Sequence, residues 1–309
     1  AGSSASAGGI TYFSSDESVL EINGSNQTQI TLEDGLIHYW NFDSDQNGSG
    51  NPVNAKIGGM NGTKGQDVVV VAGKFGNALK FQGSTVGNNK VDFGANSRSN
   101  FDGVFTISMW VNRTNNAGTQ RLICNKSGGS ENGFQLYFGN NNDKRLYGKS
   151  KTTTVDASTA VPSWAANKFY HVVAIFNAQA AIQNRRYQLF TDAVSVKNGD
   201  MPKVLTGSSN LYLGRSGNGA SSSVFKGLID DFRIYDRVLS GPEVSTLYGS
   251  GNGDFITART GNLATIKKGG TVTLTAYAPG TDNMYGATPV SKSMTISKAP
   301  LTITGNDYT

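Results

Sequence analysis

A chain of 309 residues with 27 Lys and Arg against 22 Asp and Glu carries a net charge of +5, and it is long enough for two ordinary domains of about 100–200 residues each. Only 16% of the chain is charged against a usual share of about 25%, which excludes a coiled coil or a charge-driven disordered chain. The basic residues are spread without a clustered run, so nucleic acid is not an expected partner. The longest uncharged apolar stretch, Phe169 to Asn184, falls short of the roughly 20 apolar residues of a membrane-spanning helix.

Ala1 to Gly9 reads as a flexible linker without a basic segment ahead of an apolar one, so any export signal is expected outside this stretch. Strand-like runs follow from Ile10 to Gly24, at Gly35 to Asp43 and at Gly76 to Phe81. In Phe105 to Val111 the residues Phe105, Ile107, Met109 and Val111 alternate onto one face, the period of a half-buried strand. Cys124, the single cysteine, follows Leu122 and Ile123 and reads as a buried strand thiol. Further runs at Phe134 to Phe138, Tyr170 to Phe176, Arg186 to Phe190, Leu211 to Leu213 and Leu228 to Tyr235 end in Gly, Asn, Asp or Ser clusters, the spacing of an all-β sandwich. One helix is expected. Ser240-Gly241-Pro242-Glu243 is a capping box, Val244, Leu247 and Tyr248 follow at helical spacing, and Gly249 is a stop. Strand-like sequence resumes from Gly261 to Tyr277 and from Val290 to Ile296.

Five of these segments carry a resemblance. Gly35 to Asp43, Gly76 to Phe81, Phe105 to Val111, Tyr170 to Ala174 and Gly227 to Ser240 match, in order, the laminin-G-like jelly rolls of the concanavalin A-like superfamily. The resemblance implies two antiparallel sheets around one core, over about residues 34–250. The run Ile10 to Gly24 resembles the first half of a bacterial immunoglobulin-like repeat, and Gly261 to Ile296 resembles its remaining strands. The expected fold is therefore all-β: a concanavalin A-like jelly roll inserted into a smaller immunoglobulin-like sandwich split between 10–33 and 251–298. Residues 299–309 resemble the start of a next repeat, as in a tandem array on a bacterial surface.

Asp43-Ser44-Asp45-Gln46-Asn47-Gly48 places oxygen-bearing side chains at alternate positions with Gly at the sixth, the opening of a calcium loop, because a hard cation takes six to eight oxygens and needs a sharp turn to gather them. Position twelve is Asn54 rather than Glu, so this is no EF-hand. In the laminin-G-like jelly rolls the corresponding loop and the acids of the Ile-Asp-Asp strand contribute to calcium. The resemblance thus implies Asp43, Asp230 and Asp231 as calcium ligands, and with Asp45 and Asn47 from the loop's spacing the expected set is Asp43, Asp45, Asn47, Asp230 and Asp231. The competing reading makes these acids turn formers and backbone caps.

Catalysis is not expected. Glycosidases of this superfamily work with two nearby carboxylates, whereas the five Glu residues place only Glu131 and Glu243 in the inserted domain. His38 and His171 lack zinc spacing and no Gly-x-Ser-x-Gly elbow occurs. What remains is binding on a polar sheet face and its loops. Asn amides pair with vicinal hydroxyls and aromatic rings stack on sugars, which nominates Asn125, Lys126, Tyr137, Trp164, Tyr212 and Arg215. The expectation is a calcium-dependent, glycan-binding head of an extracellular bacterial adhesin, monomeric within its array. The alternatives are a structural or protein-binding spacer and a carbohydrate-binding module of a secreted polysaccharide-degrading enzyme.

Overall fold

A computed structural model describes residues 11–16, 18–23, 32, 34–85, 88–95, 97, 101, 103–115, 118–126, 133–139, 146–150, 153–156, 164–183, 186–200, 207, 209–215, 223–249, 258–260, 263–277 and 290–297. The linker expected at 1–9, the repeat start at 299–309 and Glu131 lie outside the described residues. The chain divides into two compact units, Thr31–Val244 and a discontinuous one made of Ala1–Ile30 with Ser245–Thr309.

The discontinuous unit joins the two ends of the sequence by strand pairing. Thr11–Ser14 pairs antiparallel with both Ala258–Thr260 and Gly270–Tyr277, and Val290–Ile296 extends that sheet. Leu20–Asn23 pairs separately with Leu263–Ile266. A small core of Val19, Leu20 and Val272, with Leu274 and Ile296 against it, holds the unit.

The larger unit is built on two eight-stranded antiparallel sheets. The long-stranded sheet runs Val194–Gly199, Tyr187–Thr191, Phe169–Asn177, Val104–Arg113, Lys226–Tyr235, Asn77–Gln82 and Val68–Ala72, with Leu36–Trp40 also paired to Lys226–Tyr235. The short-stranded sheet runs Thr153–Asp156, Leu146–Ser150, Gln135–Phe138, Gln120–Cys124, Tyr212–Leu213, Val91–Asp92, Gly62–Lys64 and Pro52–Val53. The strands expected from alternation are present, and the helix spans Gly241–Tyr248. Its capping box is closed: the Ser240 backbone N–H donates to Glu243 Oε2 at 2.7 Å, and Arg237 pairs with Glu243 Oε1 at 2.6 Å.

One face of each sheet meets in a single core. Phe105, Ile107, Met109 and Val111 enter it from one sheet, and Leu122, Ile123, Leu136, Phe138 and Leu213 from the other. Aromatic rings make its densest part: Phe105 packs on Phe101, Phe134 and Phe176 at 4.5–5.2 Å between centroids, and Trp40 stacks on Phe232 at 4.8 Å.

The middle of the opposite face of the long-stranded sheet is also dry, which alternation alone does not suggest, while Lys80 and Gln82 at its side stay exposed. Thr106 Oγ1 donates to the Arg237 carbonyl at 2.7 Å and accepts from the Leu239 N–H, so the chain after the last long strand lies over this face. Trp110 is covered by the tip of a hairpin, with Phe75 edge-on at 5.6 Å and the Lys74 ammonium 5.0 Å from its ring. Between them Ser108 Oγ and His171 Nε2 share a 2.8 Å hydrogen bond, and both residues are buried. Burial, with the nearby Arg233 charge, holds the His171 pKa down to about 3.

Phe105→Ala removes the centre of the aromatic cluster and should cost about 3–5 kcal/mol in denaturant unfolding. The unfolded chain protonates His171 below its ordinary 6.5 and the folded one does not until about 3, so its contribution to stability is complete above pH 6.5 and is lost as pH falls, at about 1.4 kcal/mol per pH unit. Asp230, whose pKa burial lifts to about 7, acts in the opposite sense over pH 4–7. The stability difference between wild type and His171→Phe, measured from pH 7 to pH 4, isolates the histidine and should shrink in the wild type's disfavour at that slope.

Candidate functional site

Alternation along three adjacent short strands builds a polar surface. In Gly62–Lys64 the outward side chain is exposed Thr63; in Val91–Asp92 it is half-buried Asp92, followed by buried Phe93; in Tyr212–Leu213 it is half-buried Tyr212, between buried Leu211 and Leu213. The register sets Tyr212 beside Asp92 and Asp92 beside Thr63, so the three form one row on the outer face of the short-stranded sheet. Two residues earlier along the chain, just ahead of each strand, Asn61, Lys90 and Asn210 fall on the same side. An open groove of about 560 Å³ lies here, with Ser49, Asn61, Thr63, Asn88, Lys90, Asp92 and Asn210 in its lining.

Asp92 organises the groove. Its Oδ1 accepts the Gly94 N–H at 2.9 Å and Asn210 Nδ2 at 3.0 Å, and its Oδ2 pairs with Lys90 Nζ at 3.3 Å. The Lys90 ammonium also sits 4.5 Å from the centre of the Tyr212 ring. Thus lysine, acid, amide and aromatic are held against one another before any ligand arrives, and the site's positive and negative groups are paired.

Of the six binding residues expected from sequence, Tyr212 borders this groove. Tyr137 is half-buried on the same outer face, reached through the pairings of Gln135 with Cys124 and Cys124 with Tyr212, and Arg215 is half-buried after the Tyr212 strand. The other three are interior. Trp164 is 0% exposed in the core, against Phe138 at 4.9 Å and Tyr170 at 4.4 Å. Asn125 is buried and its Oδ1 accepts the Phe134 N–H at 2.7 Å, while buried Lys126 offers its carbonyl to Cys124 Sγ at 3.2 Å. These three hold loops and core together instead of facing a ligand.

The five calcium candidates are dispersed over several tasks. Asp43 and Asp230 hold the tip of the hairpin between Val68–Ala72 and Asn77–Gln82: Asp230 Oδ2 accepts the N–H groups of Lys74 and Phe75 at 2.8 and 2.9 Å, and Asp43 Oδ1 accepts that of Asn77 at 2.8 Å. Gly76, at φ +49°, is required there, because a Cβ would overlap the Asp43 carboxylate. Asp231, at φ +50° in a bulge of its strand, pairs with buried Arg233 at 3.1 Å, and the guanidinium lies 4.5 Å from the Tyr39 ring. Asp45 binds the Asn54 amides, and Asn47 bonds the backbone of Val70 through both side-chain atoms. Carboxylates aimed at N–H groups and an arginine do not fit one shared calcium ion, and among the described residues no three His, Cys, Asp or Glu side chains converge.

The Ser108–His171 pair has the contact distance of a nucleophile and its base, but both groups are sealed beneath the covering chain and meet no cavity wall of the groove.

No curated protein sequence matches the chain. Among solved structures, the larger part of the chain resembles Trypanosoma rangeli sialidase in complex with 2,3-difluorosialic acid, at 18% identity and a TM-score of 0.53, over 71% of this chain and 33% of that one. It also resembles the binding domain of Paraclostridial Mosquitocidal Protein 1, at 19% identity and a TM-score of 0.53, over 71% of this chain and 52% of that one. The chain thus spans about a third of the sialidase and about half of the mosquitocidal binding domain, and at these identities the likeness is one of fold. Residues 85–245, just over half of the chain, match the laminin-G-type family model of the concanavalin A-like lectin/glucanases superfamily; with that match inside a unit of two antiparallel sheets closed on one core, the chain belongs to that superfamily.

Proposed function

We propose that this chain is a non-catalytic, ligand-binding region of a bacterial cell-surface adhesin, whose jelly roll binds carbohydrate in the groove on the outer face of the short-stranded sheet. In this reading the discontinuous unit is an immunoglobulin-like extender in a tandem array outside the cell, and the partner is a glycan on a host or neighbouring cell. The observation that carries the binding reading is the groove's lining: three asparagine amides, a threonine hydroxyl and a fixed Lys–Asp pair beside a tyrosine. Amides present a donor and an acceptor side by side, matched to adjacent sugar hydroxyls, and groups held in place beforehand lose little entropy on binding.

The reading as a binder is supported by what the acids do. A general acid or nucleophile needs a carboxyl able to reach a substrate. Asp43, Asp92, Asp230, Asp231 and Glu243 each accept backbone N–H groups or pair with a lysine or arginine, and Glu243 closes the helix cap.

A glycan array probed with the full chain tests the proposal. Bound saccharides should lose about tenfold or more in affinity on Tyr212→Ala and several-fold on Asn61→Ala, with melting temperatures close to wild type because Asn61 is exposed and Tyr212 only half-buried, outside the core. Saccharide binding unaffected by either substitution would remove the groove as the site, and an array without any bound saccharide would favour the spacer.

A further inference from the structure

The loop after Leu36–Trp40 has the acid spacing of a calcium loop, yet a cation of the chain's own already stands in it. Lys64 lies on the core-facing row of the short-stranded sheet. It pairs with Val91, Val91 with Leu213, Leu213 with Ile123 and Ile123 with Leu136. The other four are buried aliphatic side chains, and Lys64 is itself only 1% exposed. An ammonium in such a row is unfavourable unless oxygens receive it. Lys64 Nζ donates to the Gln46 carbonyl, inside the loop. Burial pulls the Lys64 pKa below its ordinary value, and the Asp45 charge offsets only part of that effect. Asp45 Oδ1 is held by Asn54, while Oδ2 is buried without a hydrogen-bond partner. Backbone bonds from Gly50 N–H to the Lys64 carbonyl, at 2.8 Å, and from Lys64 N–H to the Asn51 carbonyl, at 3.2 Å, fasten the same loop to the strand.

We propose that Lys64 is the built-in cation of this loop: its ammonium serves the Gln46 carbonyl in place of a calcium ion, and the wild-type loop takes up no calcium. A monovalent charge tethered to a strand cannot be removed by chelation, so the wall of the groove formed by Ser49 and Gly50 keeps its shape whatever the metal concentration. Removing the ammonium together with its stem would leave buried oxygens facing a space that a hydrated divalent cation can enter. Removing the charge alone would leave the space filled.

Thermal unfolding of the full chain in millimolar calcium and in chelator tests this with Lys64→Ala, Lys64→Met and Asp45→Asn. The wild type should melt alike in both. Both lysine variants should melt roughly 5–10 °C lower in chelator, as expected for a buried charge left without its partner. Calcium should restore part of that loss to Lys64→Ala alone, since Met fills the space, and adding Asp45→Asn should abolish the rescue. A calcium shift of the wild type that Asp45→Asn removes would overturn the proposal, as would a Lys64→Ala chain whose reduced melting temperature calcium leaves unchanged. Should Lys64→Ala not fold, calorimetric titration of calcium into wild type and Asp45→Asn decides: saturable uptake lost in the variant overturns it, and no uptake by the wild type supports it.

Discussion

Successive side chains of a pleated strand point to opposite faces, and two sheets closed on one another oblige one set to be dry. The core of the larger unit and the groove on its surface are both consequences of that constraint. In Val91-Asp92-Phe93 and Leu211-Tyr212-Leu213 the outer residues of each triplet are buried and the middle one is not, so fixing the apolar residues inside also fixes which polar residue faces out. The pairing of these strands then brings Tyr212, Asp92 and Thr63 into a line. The stability of the site is therefore that of the core beneath it.

The long-stranded sheet departs from the simple two-sided scheme, since the middle of its outer face is dry as well. Polar side chains there must find partners inside the protein, and an unpaired one would be costly. Thr106 takes the backbone of the segment that covers it, Ser108 takes His171, and Asp231 takes Arg233. Asp230 and Asp43 solve a related problem at the hairpin tip, where backbone N–H groups turn away from the ladder and need acceptors. The Asp-Asp sequence and the acid after Trp40 that resemble calcium ligands are in this fold committed to a turn, a bulge and an ion pair.

Strand positions, the helix and its capping box were legible because they rest on local spacing: alternation in Phe105 to Val111, and Ser240 with Glu243 three residues on. The superfamily was legible for the same reason, through ordered local motifs. The site was not. Asp92, Lys90 and Asn61 are single polar residues on short strands, and only the strand order, in which Tyr212–Leu213 lies next to Val91–Asp92 and that next to Gly62–Lys64, makes them neighbours. Trp164, Asn125 and Lys126 failed as surface residues for the converse reason: the core and the chain that bury them come from distant sequence, as the contacts of Trp164 with Phe138 and of Asn125 with Ser209 record. A pattern of alternation locates polar positions but not what covers them.

Charge in the groove bears on the kind of ligand it suits. Lys90 and Asp92 neutralise each other at 3.3 Å, and the lysine also rests on the Tyr212 ring, so neither ion is left to draw an oppositely charged ligand from a distance. Ion pairs near the surface contribute little to stability, but this half-buried one, fixed by two further hydrogen bonds to Asp92, orients donors and acceptors. Recognition at such a surface depends on the directions of hydroxyls, amides and bridging waters more than on net charge. A neutral, hydroxyl-rich ligand matches it, whereas a strongly anionic one would have to break the Lys90–Asp92 pair before gaining a lysine. The chain's +5 net charge thus has no focus in the groove, and the discrimination open to it is geometric.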